Sequence, residues 1–193
     1  MGLMKKTILA TLAIAASAAS LHLQAEPVEV VLMDRLDGDL HDYCIDVNGP
    51  PHRLELEVPI QTHTCYSYRA DPPPPTVDQA MDTDDIANGK IHLFEIGLCG
   101  EVTGDQPGAR IMLTECEDTE EQSFLLKENG HFIWNASHYD PLNPELCLTA
   151  GAASWLGGAT TPSRHQVRTL SLQPCTSEAG RYQHWYTRAV EPM

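Results

Sequence analysis

The residues whose type and spacing most directly promise chemistry are six cysteines, at positions 44, 65, 99, 116, 147 and 175 of a 193-residue chain. They could hold a metal or form disulfides. None stands in a Cys-x-x-Cys pair, the spacing that zinc clusters use, and an even count behind an export-type leader points to disulfides made in an oxidising compartment. Six cysteines still allow fifteen pairings. Two acidic groups, Asp34, Asp37, Asp39 and Asp42, then Asp82, Asp84 and Asp85, invite a calcium reading. Neither has the ligand spacing and terminal Glu of an EF-hand loop, so they read as solvated turn acids. Nine histidines are scattered without a His-x-x-x-His pair. No metal and no cofactor are therefore expected. Enzyme motifs are missing too: the sequence has no Gly-x-Ser-x-Gly, no His-Glu-x-x-His, no phosphate loop and no dinucleotide fingerprint. Two carboxylates such as Asp46 and Asp78 could in principle serve a glycosidase, but the expectation is a protein that is not an enzyme.

Residues 1–25 read as a signal peptide: Lys5-Lys6 precede an apolar run from Thr7 to Leu21, and small residues follow. The run is shorter than a bilayer span needs. Cleavage after Leu23-Gln24-Ala25 would leave residues 26–193 and move the formal charge from −15 to −17, since the leader carries two lysines and no acid. A surface this acidic repels phosphate backbones and anionic lipid, so nucleic acid and membrane are poor partners, whereas a neutral ligand is unaffected. The expected location is secreted or periplasmic. Asn135-Ala136-Ser137 is a glycosylation acceptor only in a eukaryotic host, and the Lys-Lys leader reads as bacterial.

The elements that must position these residues are short strands. Glu29–Leu32 and Tyr43–Val47 read as strands, with Asn48-Gly49-Pro50-Pro51 as a turn. Leu54–Val58 alternates with period two, as a half-buried strand should. Ile60–Cys65 follows, and then an insertion containing Pro72-Pro73-Pro74-Pro75, expected as a stiff polyproline loop. Asp78-Gln79-Ala80-Met81, an Asn88-Gly89 hairpin turn and the strand Ile91–Ile96 complete the stretch. The same order recurs. Leu98–Val102, the strand ending at Cys116, Gln122–Leu126, Asn129-Gly130 and Phe132–Trp134 form a second copy. Leu146–Ala150, a Gly/Ser/Thr-rich loop over 151–163, the strand ending at Cys175 and Gln183–Tyr186 form a third. The third lacks a closing strand, which Val28–Met33 would supply, bringing the ends together. Units this small cannot bury a face alone and must pack together. The chain is expected to be all-β, with about a dozen strands in one domain.

These residues resemble the ricin B-type β-trefoil lectin family, through Cys44-Ile45-Asp46, Cys99-Gly100-Glu101 and Cys147-Leu148-Thr149, and through degenerate Gln-x-Trp signatures at Gln79-Ala80-Met81, Gln122-Ser123-Phe124 and Gln183-His184-Trp185. The likeness spans roughly 29–188 and implies a β-trefoil of three repeats, near 29–90, 91–131 and 132–190. It implies the disulfides Cys44–Cys65, Cys99–Cys116 and Cys147–Cys175, and a core made by Met81, Phe124 and Trp185. It also carries a sugar site onto the first repeat: Asp46, His63 and Asp78 as direct contacts, with Gln61 and Gln79 buttressing the carboxylates. His63 stands where the family more often has Trp or Tyr. Repeat two has Thr114 in place of the ring and Met112 in place of Gln61; repeat three has Thr149 in place of the acid and Gln173 in place of the ring. One site per chain is therefore expected, with Tyr66 and Tyr68 as candidate walls. The implied function is carbohydrate binding by a lectin-like protein. The alternative is a trefoil that has lost sugar binding and contacts proteins or inhibits an enzyme through the proline loop and residues 151–163; a glycosidase is the least favoured reading.

Overall fold

The computed structural model describes residues 27–37, 42–49, 53–65, 78–138, 142–157 and 165–190. The expected signal peptide, the expected proline loop, Tyr66, Tyr68 and Asp39 lie outside the described residues. The chain is predominantly β, with twelve strands among the described residues: β1 (Pro27–Leu32), β2 (Tyr43–Asp46), β3 (Gln61–Thr64), β4 (Met81–Asp82), β5 (His92–Leu93), β6 (Leu98–Val102), β7 (Ile111–Thr114), β8 (Phe124–Leu126), β9 (Phe132–Trp134), β10 (Leu146–Leu156), β11 (Gln166–Pro174) and β12 (Trp185–Ala189). One-turn helices α1 (Thr83–Ala87) and α2 (Asn135–His138) interrupt them.

The three units repeat at the level of single pairings. The strand before each first cysteine pairs with it, as Val31 with Cys44, His92 with Cys99 and Ile133 with Cys147. Each unit then folds a hairpin, β2–β3, β6–β7 and β10–β11, stapled by Cys44–Cys65, Cys99–Cys116 and Cys147–Cys175. The hairpins touch pairwise: Ile60 N donates to Ile111 O, Leu172 N to Ala109 O, and β3 pairs with β11 from Gln61 opposite Thr169 to His63 opposite Val167. The N-terminal strand completes the third unit. β1 runs antiparallel to β12 over five residue pairs, from Val28 opposite Ala189 to Leu32 opposite Trp185, and pairs with β2 on its other side, so β1 is not left as a free edge.

One hydrophobic cluster draws on all three units, and Met81, Phe124 and Trp185 sit in it fully buried. Burying side chains of this size gives about 1.5–3 kcal/mol each. Trp185 Nε1 donates to Leu148 O, so its one polar atom costs nothing inside.

Three expectations need correction. Residues 54–58 are not a strand: Glu55 N bonds Asn48 O and Val58 N bonds Glu55 O, so the segment curls back, although Leu54 and Leu56 still pack on the core. The strand expected over 91–96 ends at Leu93, because the NH groups of Ile96 and Gly97 both return to Leu93 O in a turn that places Gly97 at φ +75°. Described acids of the two clusters also carry protein partners. Asp82 caps α1 by accepting from the NH groups of Asp84 and Asp85, Asp85 meets His92 at 2.6 Å, and Asp34, Asp37 and Asp42 pair with Arg181, Arg168 and Arg188. Residues 151–156, expected as loop, continue β10 past a register shift between Ala150 and Ser154, so the third hairpin becomes a long arm. Arg168 holds that irregularity: its Nη1 donates to Gly151 O and Ala152 O, and its Nη2 to Asp37.

Candidate functional site

Local geometry decides which faces meet. In β2 and β3, Asp46 lies opposite Gln61 and Cys44 opposite His63; in β3 and β11, Gln61 lies opposite Thr169 and His63 opposite Val167. Directly opposed residues of an antiparallel pair share a sheet face. Asp46, Gln61 and His63 therefore line one face, with the Cys44–Cys65 bridge beside them. Gln79 reaches this face from the segment before β4: its Nε2 donates to Asp46 Oδ2 at 2.5 Å and to Thr64 O at 3.2 Å. His63 Nδ1 lies 3.9 Å from Asp46 Oδ2 and 2.9 Å from Thr64 O, which makes Nδ1 the protonated nitrogen of the neutral ring. Asp78 accepts from Val47 N through its backbone carbonyl and is itself buried. The five sequence-derived residues thus come together.

They come together inside. Asp46 is 2% exposed, Asp78 and Gln79 are fully buried, Gln61 is buried, and the His63 side chain is 12% exposed. Burial pushes the His63 imidazole down to about 4; the hydrogen bond to Thr64 works against this and the charge of His165 with it. At neutral pH His63 is an uncharged ring, and His165 packs edge-on against it with centroids 5.0 Å apart.

The other two units show what this arrangement does structurally. Gln122 Nε2 donates to Glu101 Oε2, to Thr114 Oγ1 and to Glu115 O, while its Oε1 accepts from Glu117 N. Gln183 Nε2 donates to Thr149 Oγ1 and Pro174 O, and its Oε1 accepts from Thr176 N. In every unit the glutamine joins the residue two after the first cysteine to the carbonyl just before the second. A fully satisfied buried amide of this kind fixes the hairpin against the return strand. Unit two keeps an acid, half-buried Glu101, with exposed Glu121 where unit one has Asp78; unit three has Thr149 in place of an acid.

Three residues on the unit-one face escaped the sequence reading, because they come from the unit-three arm. Trp155 lies opposite Val167, which lies opposite His63, so tryptophan, valine and imidazole stand in one row across three strands. Gly157 N bonds His165 O, and a Cβ on Gly157 would fall 2.5 Å from Val167 Cγ2 and 3.7 Å from His63 Nε2. Only a glycine lets the arm approach this closely. No local signal pointed to them: Gln166–Leu172 has its apolar residues at 167, 170 and 172, which is not a period-two pattern.

A separate cavity of about 280 Å³ lies at the Cys99–Cys116 bridge, lined by Asp85, Lys90, His92, Glu117 and Asp118. Lys90 bonds Glu117 O and lies 3.3 Å from Asp118, and His92 pairs with Asp85, so these charges already satisfy one another. His92, and at the third bridge His131, stand beside cystine sulfurs, which lack the thiolate charge that ligates metal. Among the described residues, no helix is long and apolar enough to cross a membrane. Compared with protein-family models and with curated proteins, the sequence matches none.

Proposed function

We propose that this protein is a secreted β-trefoil of the ricin B type that binds carbohydrate at one site, on the unit-one face. The observation that carries the reading is the strand register that sets Asp46, Gln61 and His63 side by side with Gln79 bonded to Asp46. A carboxylate accepting from vicinal hydroxyls, amides that donate back and a flat ring beneath the sugar are what pyranose recognition requires, and unit one alone has all three kinds of group. The fold supports the trefoil assignment through the thrice-repeated pairing, bridge and glutamine. The high acidity of the chain fits a neutral glycan better than a polyanion.

A second reading, a trefoil scaffold without a working sugar site that contacts proteins, is favoured by the burial of Asp46, Asp78 and Gln79. There the unit-one cluster would be a third structural lock like Gln122 and Gln183. A glycan array on the full chain and on Asp46→Asn, which keeps the shape but removes the charge, separates the two. Binding by the native chain that Asp46→Asn abolishes, with both variants folded, supports the first reading. A blank array for the native chain overturns it. Asp46→Ala is the poorer probe, since it would strip Gln79 of a buried partner and lower stability as well.

A further inference from the structure

We propose that the Cys99–Cys116 bridge is a thiol-exchange site: a low-molecular-weight thiol enters the cavity beside it, attacks Cys116 and opens unit two reversibly while the other two bridges stay closed.

The three bridges occupy equivalent places in three hairpins, so each is a control for the others. In unit one Cys44 and Cys65 are both buried, and the group within 4.8 Å of their sulfurs is the buried carboxylate of Glu29. A carboxylate there repels an incoming thiolate and disfavours a departing one. In unit three Cys147 is buried and Cys175 half-buried, and the neighbour is His131. Burial, and the charge of His184 stacked against it at 4.8 Å, hold that imidazole below the usual histidine range, so it is a poor cation. Unit two differs on every count. Cys99 is buried but Cys116 is exposed, a ring nitrogen of His92 lies within 4.8 Å of both sulfurs, and the cavity of about 280 Å³ that opens at the bridge is also lined by Lys90. Exposed bridges are the labile ones, whereas buried bridges react only when the fold opens.

Access also decides which sulfur is attacked. The thiolate bonds to the exposed Sγ of Cys116, the Cys99–Cys116 bond breaks, and its electron pair leaves on Cys99 Sγ as a thiolate. A second thiolate then attacks the added sulfur of the mixed disulfide and releases Cys116. Two small thiols are thereby oxidised to their disulfide, the cystine gains two electrons, and the two new thiolates take up protons. His92 stands directly across the strand pair from Cys99, and its Nδ1 meets Asp85 Oδ2 at 2.6 Å. The carboxylate thus anchors the ring beside the sulfur that leaves, where an imidazolium stabilises the departing charge.

The reduced hairpin keeps its shape. Gln122 donates to Glu115 O and accepts from Glu117 N, so it clasps the chain on both flanks of Cys116, and it also donates to Glu101 and Thr114. β6 and β7 remain paired from Cys99 opposite Thr114 to Val102 opposite Ile111. None of these bonds involves the bridge, so the sulfurs stay neighbours and can rejoin. β5, β6 and β7 form a three-stranded sheet of their own, and opening the bridge breaks no ladder of the nine-stranded sheet.

The test incubates the full disulfide-bonded chain without denaturant in glutathione buffers of increasing reducing strength, traps thiols with iodoacetamide at timed intervals and maps the label by mass spectrometry. Cys99 and Cys116 should be labelled roughly tenfold or more faster than the other four cysteines, the glutathione adduct should sit on Cys116, and oxidised glutathione should restore the bridge. His92→Asn should slow this opening roughly threefold and leave the other two bridges unchanged. Asp85→Asn, which keeps the ring but removes its anchor, should slow it in the same direction. The order of labelling is read on the native chain and depends on no variant. All three bridges opening together, either other bridge opening first, or an adduct on Cys99 would overturn the proposal. Native rates in both variants would overturn the role given to His92.

Discussion

Acid should weaken this fold through His63 more than through any surface histidine. The imidazole titrates at about 4 in the folded chain against 6.5 for an unburdened histidine, and a gap of this size corresponds to about 3 kcal/mol. The sign follows from which state holds the proton. Between pH 6.5 and 4 the unfolded chain protonates this ring while the folded chain keeps it neutral, so the unfolded state binds more protons and stability falls as pH falls. The contribution is complete above pH 6.5 and gone below about 4. His165 and Asp46 are its titratable neighbours, the first edge-on at 5.0 Å and the second at 3.9 Å. Against a total stability of about 5–15 kcal/mol for a typical domain, the loss is easily measured. The assay is urea unfolding of the disulfide-intact protein at pH 7.5, 6, 5 and 4, in parallel with His63→Gln. Carboxylates and the other histidines titrate in both proteins and cancel in the difference. The native chain should lose about 3 kcal/mol more than the variant over this range. Identical pH profiles would refute the argument that burial keeps His63 neutral.

Three further outcomes follow from the same geometry. Gln183→Ala removes three hydrogen bonds inside unit three and should cost about 3 kcal/mol, read as a lower denaturation midpoint, with Gln122→Ala similar. Replacing Cys99 and Cys116 by alanine opens a loop with a sequence separation of 17 and should cost about 3 kcal/mol, lowering Tm by roughly 10 °C in a thermal melt. Gly157→Ala forces a methyl group to 2.5 Å from Val167 Cγ2; we expect about 1–3 kcal/mol of destabilisation and a shifted His63 ring signal by NMR, whereas an unchanged spectrum would mean the arm gives way freely.

The repeat was legible in the sequence because its marks are local. Each cysteine, each Gln-x-apolar signature and each Asn-Gly turn keeps the same order in the chain, and the pairing of Val31, His92 and Ile133 with the first cysteines follows that order residue for residue. The closing strand at Val28–Leu32 could be inferred from what unit three lacked. Period two misled at 54–58, because alternating burial also arises in a curled segment laid on the core; composition misled at 151–156, because small residues fit a loop and an irregular strand equally well.

What the sequence determined by itself is order within a unit: six cysteines and three glutamines that recur in the same places, and one unit that carries acid, amide and ring together. What only the tertiary structure decided is how much of that unit meets solvent and what stands next to it. Asp46 and His63 are distant in sequence from Trp155 and Gly157, and no local pattern couples them. The coupling comes from β3 pairing with β11, a long-range register set by packing all three hairpins on one core, and that register buries the carboxylate while setting an exposed tryptophan in line with the imidazole.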